Sequence, residues 1–561
     1  MIKVPDPVPL PSGPALNAVA REAVAAARHR LQRLRAVVAQ RVTRDGRVDR
    51  ALMDHDQRLV HGLAWAGTLT ASLDATAAWH ETALAAGRAG ADEDRLLLIG
   101  FAEYLGQLAH GIVMGQNEIV RDAEYGPEAG GAEFAADPAV AWFLGCDLRA
   151  TRAALAASLA EGGQVADTLH DELLDQFRRE LNRFATDRIL PVAHHLHLRD
   201  ELVPQALLDE MAALGVFGLC IGEEHGGLGL GKLAMAVVTE ELSRAWIAAG
   251  SLGTRAEIAG ELISHGGTEA QKARYLPEIA AGRCLPAAVF TEPDTGSDLG
   301  AVSTRAMRSA EGSWQIQGAK TWITHAARSD LMTVLVRTDP ESRDHNGLSI
   351  LLAEKPRGSE ADPFPAEGMT GSEIGVLGYR GMREYALSFD GFTVPAEGLL
   401  GGVEARGFRQ LMQTFEGARI QTAARAVGVA RRALELALAY ATDRRQFGQA
   451  LIGFPRVSDK IAIMATETVM AREMTYAAAR QKDGGRRCDI EAGMAKLIAA
   501  RVAWSAADAS LQIHGGNGYA LEFEASRILV DARILNIFEG AAEIQAQIIA
   551  RGLLSGGGNA V

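Results

Sequence analysis

Only four cysteines, Cys146, Cys220, Cys284 and Cys488, occur in 561 residues, far apart and in neither CxxC nor metal-ligand spacing. That argues against a disulfide scaffold or a thiolate metal site and reads as reduced thiols in a cytoplasmic protein. No stretch offers the run of about 18 apolar residues that a membrane span requires. The proline-rich start, MIKVPDPVPLPSGP, lacks the apolar core of a secretory signal. Long Lys/Arg runs are also missing, and 57 basic against 70 acidic residues give a net charge of -13. A nucleic-acid or membrane-surface role is disfavoured, although local basic pockets for phosphates remain compatible with that balance. No internal repeat and no metal-ligand cluster is found.

What is present is globular: 48% apolar and 23% charged residues, enough for a sizeable core, on a chain too long for one ordinary domain. Residues 1–165 are rich in Ala, Leu and Arg with helical periodicity, as in Val24, Ala25, Leu31, Leu34, Val37 and Val38. His61 and His110 in this stretch read as packing residues. Helical stripes continue through 166–285, broken by CIGEEHGGLGLGK, which has no βαβ context and reads as a turn. Across 286–400 short segments suited to strands, such as Leu331 to Arg337 and Leu348 to Ala353, alternate with turn residues. Four long helical segments then fill 401–555, an up-and-down bundle, before a flexible tail at 556–561. The fold class is mainly α with a central β domain.

Several segments carry chemistry. Leu535 to Gln547, LNIFEGAAEIQAQ, sets one carboxylate, Glu539, among apolar neighbours at the entrance of a helix. It is a candidate base, with a helix-dipole role as the plainer reading. In Phe290 to Asp298, FTEPDTGSD, hydroxyls and exposed backbone N–H groups suit a polar ring edge and a phosphate-bearing chain. Lys320 to His325, KTWITH, places Trp322 and Thr324 two residues apart, hence on one face of a strand. Arg444-Arg445 in DRRQFG forms a cationic pair suited to a pyrophosphate, and the glycines of QIHGGNGY allow close backbone approach.

TEPDTGSD, KTWIT, DRRQFG, QIHGGNGY and IFEGAAEIQ stand in the order and approximate spacing of the acyl-CoA dehydrogenase family, which the chain resembles from about residue 170 to 554. The resemblance implies a helical domain, a β-barrel-like middle domain and a C-terminal four-helix bundle, with FAD between the last two, completed by a neighbouring subunit of a homo-oligomer, a dimer. It implies that Phe290, Thr291, Trp322 and Thr324 face the flavin and that Gly296 and Ser297 lie near the flavin and the CoA chain. Arg444, Phe447, Gln512 and Gly516 would touch the adenine and pyrophosphate half from the partner subunit. Arg419, three residues after Glu416 in FEGARI, matches the position that helps hold CoA and substrate, with Glu416 grouped beside it. Glu539 matches the catalytic base. Electrons leave, in that family, to an electron-transfer flavoprotein.

Three positions depart from the family pattern: Ala541 where Thr is common, His325 where Asn is usual, and Phe538 where Tyr is common. Residues 1–165 are absent from ordinary members. This extension and segments such as MTGSEIGVLGYRGMREY resemble a branch that oxidises a methyl-branched dicarboxylic thioester. Such a substrate needs a cation in the acyl pocket, because a buried unpaired anion is costly. Arg255 is the first candidate and Arg383 the second, a surface salt bridge being the plainer reading of Arg255. The extension itself is expected to stiffen a dimer or cover bundle surface. Other readings stay open: another short- or branched-chain acyl-CoA dehydrogenase, an oxidase, or a non-catalytic flavoprotein or scaffold.

Overall fold

The computed structural model describes residues 11–556; the first ten residues of the proline-rich start and the tail from 557 onward lie outside them. Four principal helices open the chain: α1 (Gly13–Val42), α2 (Gln57–Ala85), α3 (Ala91–His110) and α4 (Arg149–Ala160). Two short hairpins interrupt them, Thr43–Arg44 with Arg47–Val48 and Ile112–Gly115 with Glu118–Val120. Next come α5 (Glu172–Phe184), started by the Asp171 carboxylate accepting from the Leu173 and Leu174 N–H groups, then α6 (Lys232–Ala245), α7 (Ile247–Gly266) and α8 (Glu269–Ala280). The glycine-rich CIGEEHGGLGLGK forms the turn before α6, with Gly226 and Gly229 in left-handed conformation.

Seven strands follow: β1 (Pro286–Val289), β2 (Arg305–Arg308), β3 (Trp314–Thr324), β4 (Leu331–Arg337), β5 (Leu348–Glu354), β6 (Met369–Ile374) and β7 (Glu384–Val394). They form one sheet in the order β6-β7-β3-β2-β4-β1, with β5 paired to β4. Its apolar interior, including Val289, Trp314, Ile316, Ile323, Val334, Leu351, Tyr385 and Phe389, forms a core separate from that of the helices. Pairing of β3 with β7 shifts register between Tyr385↔Ile323 and Leu387↔Lys320. This bulge falls at Trp322, whose φ is +57°. Strict two-residue alternation therefore does not carry from Trp322 to Thr324: the indole is 56% exposed while Thr324 is buried.

The C-terminal part holds five helices where the periodicity predicts four: α9 (Gly407–Asp443), α10 (Pro455–Asp483), α11 (Asp489–His514), α12 (Glu524–Ile534) and α13 (Ala542–Leu554). The additional one is α12. Buried alanines line both α9 (Ala423, Ala426, Ala430, Ala433) and α11 (Ala495, Ala499, Ala503, Ala507), so strong helix formers also let the two backbones approach closely. Among the described residues no helix is long and apolar enough to cross a membrane.

The N-terminal helices lie on this bundle. Tyr104 donates to Glu467, Trp79 Nε1 donates to the Ala166 carbonyl beside α10, and the Arg501 guanidinium sits 4.7 Å from the Trp65 ring centroid. His61 Nε2 lies within hydrogen-bond distance of Gln547 Oε1 on α13, at 3.2 Å. Gly100 marks a close approach, because a Cβ there would lie 2.5 Å from Met470 Sδ and 3.1 Å from Thr466 Cγ2. Gly100→Val overpacks this seam and is expected to cost about 1–3 kcal/mol, read as a lower urea midpoint. An unchanged midpoint would show that the seam is loose.

Candidate active site

Glu539 stands in the loop between α12 and α13, three residues before the helix rather than in its first turn. Its φ is +52°, a left-handed conformation that a non-glycine residue adopts only when its surroundings hold it there. Those surroundings are visible. Lys496 Nζ on α11 donates to the Gly540 carbonyl at 2.6 Å, Gln545 Nε2 donates to the Glu539 carbonyl at 3.3 Å, and the Ala542 N–H donates to the Asn536 carbonyl. Gly540, at φ +92°, has no room for a side chain, since a Cβ would lie 2.0 Å from Gln545 Nε2. The loop thus fixes one carboxylate, its side chain 14% exposed, against α7, α9 and α11.

Two guanidiniums receive it. Arg255 Nη2 from α7 donates to Oε1 at 2.7 Å, and Arg425 Nη2 from α9 donates to Oε2 at 2.5 Å. Thr422 Oγ1, one turn before Arg425, also donates to Oε2. Arg425 is fully buried and further donates to Ser251 Oγ and the Tyr379 hydroxyl, while its guanidinium lies 4.8 Å from the Phe538 ring centroid. Tyr379 meets that ring edge-on. Arg255 is therefore no surface salt bridge; it is 9% exposed. Burial alone would raise the Glu539 pKa, but Arg425, Arg255 and Thr422 outweigh it and hold the carboxyl below the usual carboxylate range. Two fixed cations thus face one carboxylate.

Around them lie groups poised near neutrality. Burial raises Glu384 to about 7 against the pull of the Thr324 hydroxyl and Arg255; Thr324 Oγ1 donates to its carboxylate at 2.8 Å. Burial lowers Lys496 to about 7 despite Glu539. His325 is buried with both ring nitrogens unpartnered among the described residues, and burial and neighbouring cations lower it to about 3, so the ring is neutral.

The Phe290 to Asp298 loop is tied to β3. The Thr321 N–H donates to the Thr291 carbonyl and Lys320 Nζ to the Phe290 carbonyl, both at 2.9 Å. The Glu292 carboxylate accepts from Lys320 Nζ, the Ser303 N–H and hydroxyl, and the Thr304 N–H. Gly296 and Ser297 are left exposed. Phe290 and Thr291 are thereby held against β3, the strand that carries Trp322 and Thr324. Arg444, Phe447, Gln512 and Gly516 are all exposed, Phe447 at 93%, and cluster where α9 and α11 end: Tyr440 stacks on His514 and receives a hydrogen bond from Asn517. This cluster lies roughly 28 Å from Arg425 along the α9 axis. Glu416 accepts from Lys482 at 2.7 Å, and burial lowers the pKa of its neighbour Arg419; neither bonds Glu539. Arg383 pairs with Glu373 at 3.2 Å and does not join the pair on Glu539.

Sequence reasoning missed Arg425, Thr422, Tyr379, Lys496 and Glu384. For two of them a signal existed: Arg419, Thr422 and Arg425 recur every three residues along the alanine-rich α9, so one buried face carries two arginines and a hydroxyl.

A buried carboxylate on a glycine-flanked loop, a seven-stranded sheet whose strand β3 carries Trp322 and Thr324 beside the Phe290 to Asp298 loop, and a helical bundle suit an acyl-CoA dehydrogenase, and the chain belongs to that family. The family's N-terminal, middle and C-terminal domains match residues 171–283, 287–392 and 405–554. Over 523 residues the chain is 55% identical to (2S)-methylsuccinyl-CoA dehydrogenase of Cereibacter sphaeroides, covering 93% of this chain and 95% of that protein. That match reaches into the N-terminal helices, which the family domains leave uncovered. Among solved structures, butyryl-CoA dehydrogenase of Megasphaera elsdenii aligns with a TM-score of 0.65 at 30% identity, over 69% of this chain and all of that one. A glutaryl-coenzyme A dehydrogenase complex with glutaryl-CoA aligns with a TM-score of 0.65 at 32% identity, over 70% and 97%.

Proposed function

We propose that this enzyme oxidises the Cα–Cβ bond of an acyl-CoA thioester that ends in a second carboxylate, converting (2S)-methylsuccinyl-CoA to mesaconyl-CoA in the ethylmalonyl-CoA pathway. The observation that carries the substrate class is the excess of cation at the base: buried Arg255 and Arg425 share the single carboxylate of Glu539. A second carboxylate from the substrate neutralises that excess, whereas an alkyl end leaves it standing. The relative that is 55% identical, named for methylsuccinyl-CoA, supports the same reading.

FAD fits the residues present: an indole face at Trp322, a hydroxyl at Thr291 and one at Thr324, and, at the other cluster, the exposed Arg444 with open space at Gly516 where a Cβ would meet nothing. When bound, FAD accepts the hydride that leaves Cβ. Glu539 takes the α-proton. Its backbone N–H, which donates to no backbone carbonyl among the described residues, is free to bond the thioester oxygen as enolate character develops. Phe290, Thr291, Trp322 and Thr324 orient the ring, Gly296 and Ser297 border the CoA chain, and Arg419 with Glu416 holds CoA. The roughly 28 Å between the Arg425 and Arg444 clusters supports a homodimer in which Arg444, Phe447, Gln512 and Gly516 serve the partner's cofactor. An electron-transfer flavoprotein is the acceptor, and the compartment is the cytoplasm.

The test is the flavin spectrum on adding methylsuccinyl-CoA against butyryl-CoA, with Arg255→Ala beside the wild type. Bleaching is expected to be faster with the dicarboxylic thioester. Arg255→Ala is expected to raise its KM by roughly 30-fold, about 2 kcal/mol, while moving that of butyryl-CoA little. Equal effects on both thioesters would sink the assignment.

A further inference from the structure

In this structure Glu539 takes up both Arg255 and Arg425. Among the described residues Arg255 and Arg425 bond no carboxylate but that of Glu539; the other acceptors of Arg425 are hydroxyls, those of Ser251, Thr422 and Tyr379. The Nε atoms of both arginines are buried and have no partner among the described residues, so each guanidinium keeps a donor for a further oxygen. A carboxylate gripped at both oxygens is poorly placed to take a proton from carbon. It has to give up at least one guanidinium before it can act.

We propose that Glu539 is clamped by Arg255 and Arg425 in the free enzyme and that the distal carboxylate of a dicarboxylic substrate displaces it, so that the base is released only by the substrate that carries this group. The inference rests on the dicarboxylic reading above and goes beyond it: the arginines select substrate by binding it and also by switching the base.

The groups around Glu539 fix the consequence. α7 contributes Arg255; α9 contributes Arg425, Thr422 and, further along, Arg419; α11 contributes Lys496; α13 contributes Glu543 and Gln545; Tyr379 and, on β7, Glu384 close the remaining side. Clamped, Glu539 titrates below the usual carboxylate range because the two arginines and Thr422 overcome its burial. Released beside a second anion, it keeps the burial and loses that compensation, so its pKa climbs. The complex therefore takes up protons at mildly acidic pH. The acid limb of kcat, which reports the complex, lies above that of kcat/KM, which reports the free enzyme. An alkyl-ended thioester leaves the arginines on Glu539 and the two limbs together.

The experiment uses the FAD-loaded enzyme and two redox-inert CoA thioethers of equal length, one ending in a carboxylate and one in a carboxamide. Calorimetry at pH 6.5 in two buffers of different ionisation heat reads proton uptake. The carboxylate ligand is expected to bring in a substantial fraction of a proton and the carboxamide none. In Glu539→Gln neither ligand brings in a proton, and the carboxylate ligand binds roughly 10-fold or more tightly than to wild type because nothing competes for the arginines. Uptake that persists in Glu539→Gln assigns the proton to Lys496 or Glu384 and overturns the clamp. Tight carboxylate binding without uptake overturns the clamp and leaves the substrate class standing. A carboxylate ligand that outbinds its carboxamide in neither protein overturns both.

Discussion

Glu539→Gln is expected to yield a yellow enzyme whose flavin no acyl-CoA bleaches at an appreciable rate. The substitution is isosteric, leaves the Gly540 carbonyl on Lys496 and the Glu539 carbonyl on Gln545, and touches neither the Phe290 to Asp298 loop nor Trp322. Loop shape and FAD content should therefore survive. What disappears is the carboxylate proposed to take the α-proton, and a positioned general base contributes about 10²–10⁴ in rate. Stopped-flow bleaching should fall by roughly 10³- to 10⁴-fold. The same change leaves Arg255 and Arg425 buried without an anion, so the free variant is less stable than the wild type by a few kcal/mol, about the 3–5 kcal/mol of a broken buried pair. Retained bleaching with full FAD content would overturn the assignment of the base.

The order of helices, sheet and bundle was legible because each stretch keeps one hydrophobic period over many residues, as the alanine and leucine stripes of α1 and the β-branched run of β4 do. Glu539 stood out through the resemblance, since by itself a carboxylate before a helix reads equally as a helix-dipole residue. Arg255 was legible only as a cation. Its target was not, because α7 and the α12–α13 loop are 284 residues apart in sequence. Arg425 was hidden for a related reason: in an alanine-rich helix one arginine reads as an exposed residue, and only the packing of α9 under Tyr379 and Phe538 turns it inward. Glu384 is the partner of Thr324 across the β3–β7 pairing, which no local motif predicts. The bulge at Trp322 defeated simple alternation, since an extra residue in a strand leaves the sequence pattern unchanged. α12 escaped because it is only 11 residues long and follows the turn residues of QIHGGNGY after a further four-residue link.

Glu292 shows how a residue with no obvious chemistry can govern the loop proposed to border the cofactor. It is the third residue of the FTEPDTGSD loop, buried, and accepts from the Ser303 N–H at 2.8 Å, the Ser303 hydroxyl at 2.7 Å, the Thr304 N–H at 2.8 Å and Lys320 Nζ at 3.0 Å. Burial works against its charge, but Lys320 and these donors hold its pKa at about 2. Burial lowers Lys320 to about 8, so the two remain an ion pair at neutral pH. Glu292→Ala leaves a fully buried ammonium with no anion and two backbone N–H groups without their acceptor. The expected loss is about 3–5 kcal/mol, read in denaturant unfolding. Because Lys320 also holds the Phe290 carbonyl, the loop should loosen and FAD should dissociate on gel filtration. The pH dependence has a definite sign. A folded carboxyl near 2 against an unfolded value of about 4.3 gives stability that is complete above about pH 5 and lost as the pH falls towards 2, roughly 3 kcal/mol in all. Wild-type stability should therefore drop through that window, and the variant should lack this part of the drop. A variant that keeps both its FAD and the full acid-side loss would show that Glu292 does not anchor the loop.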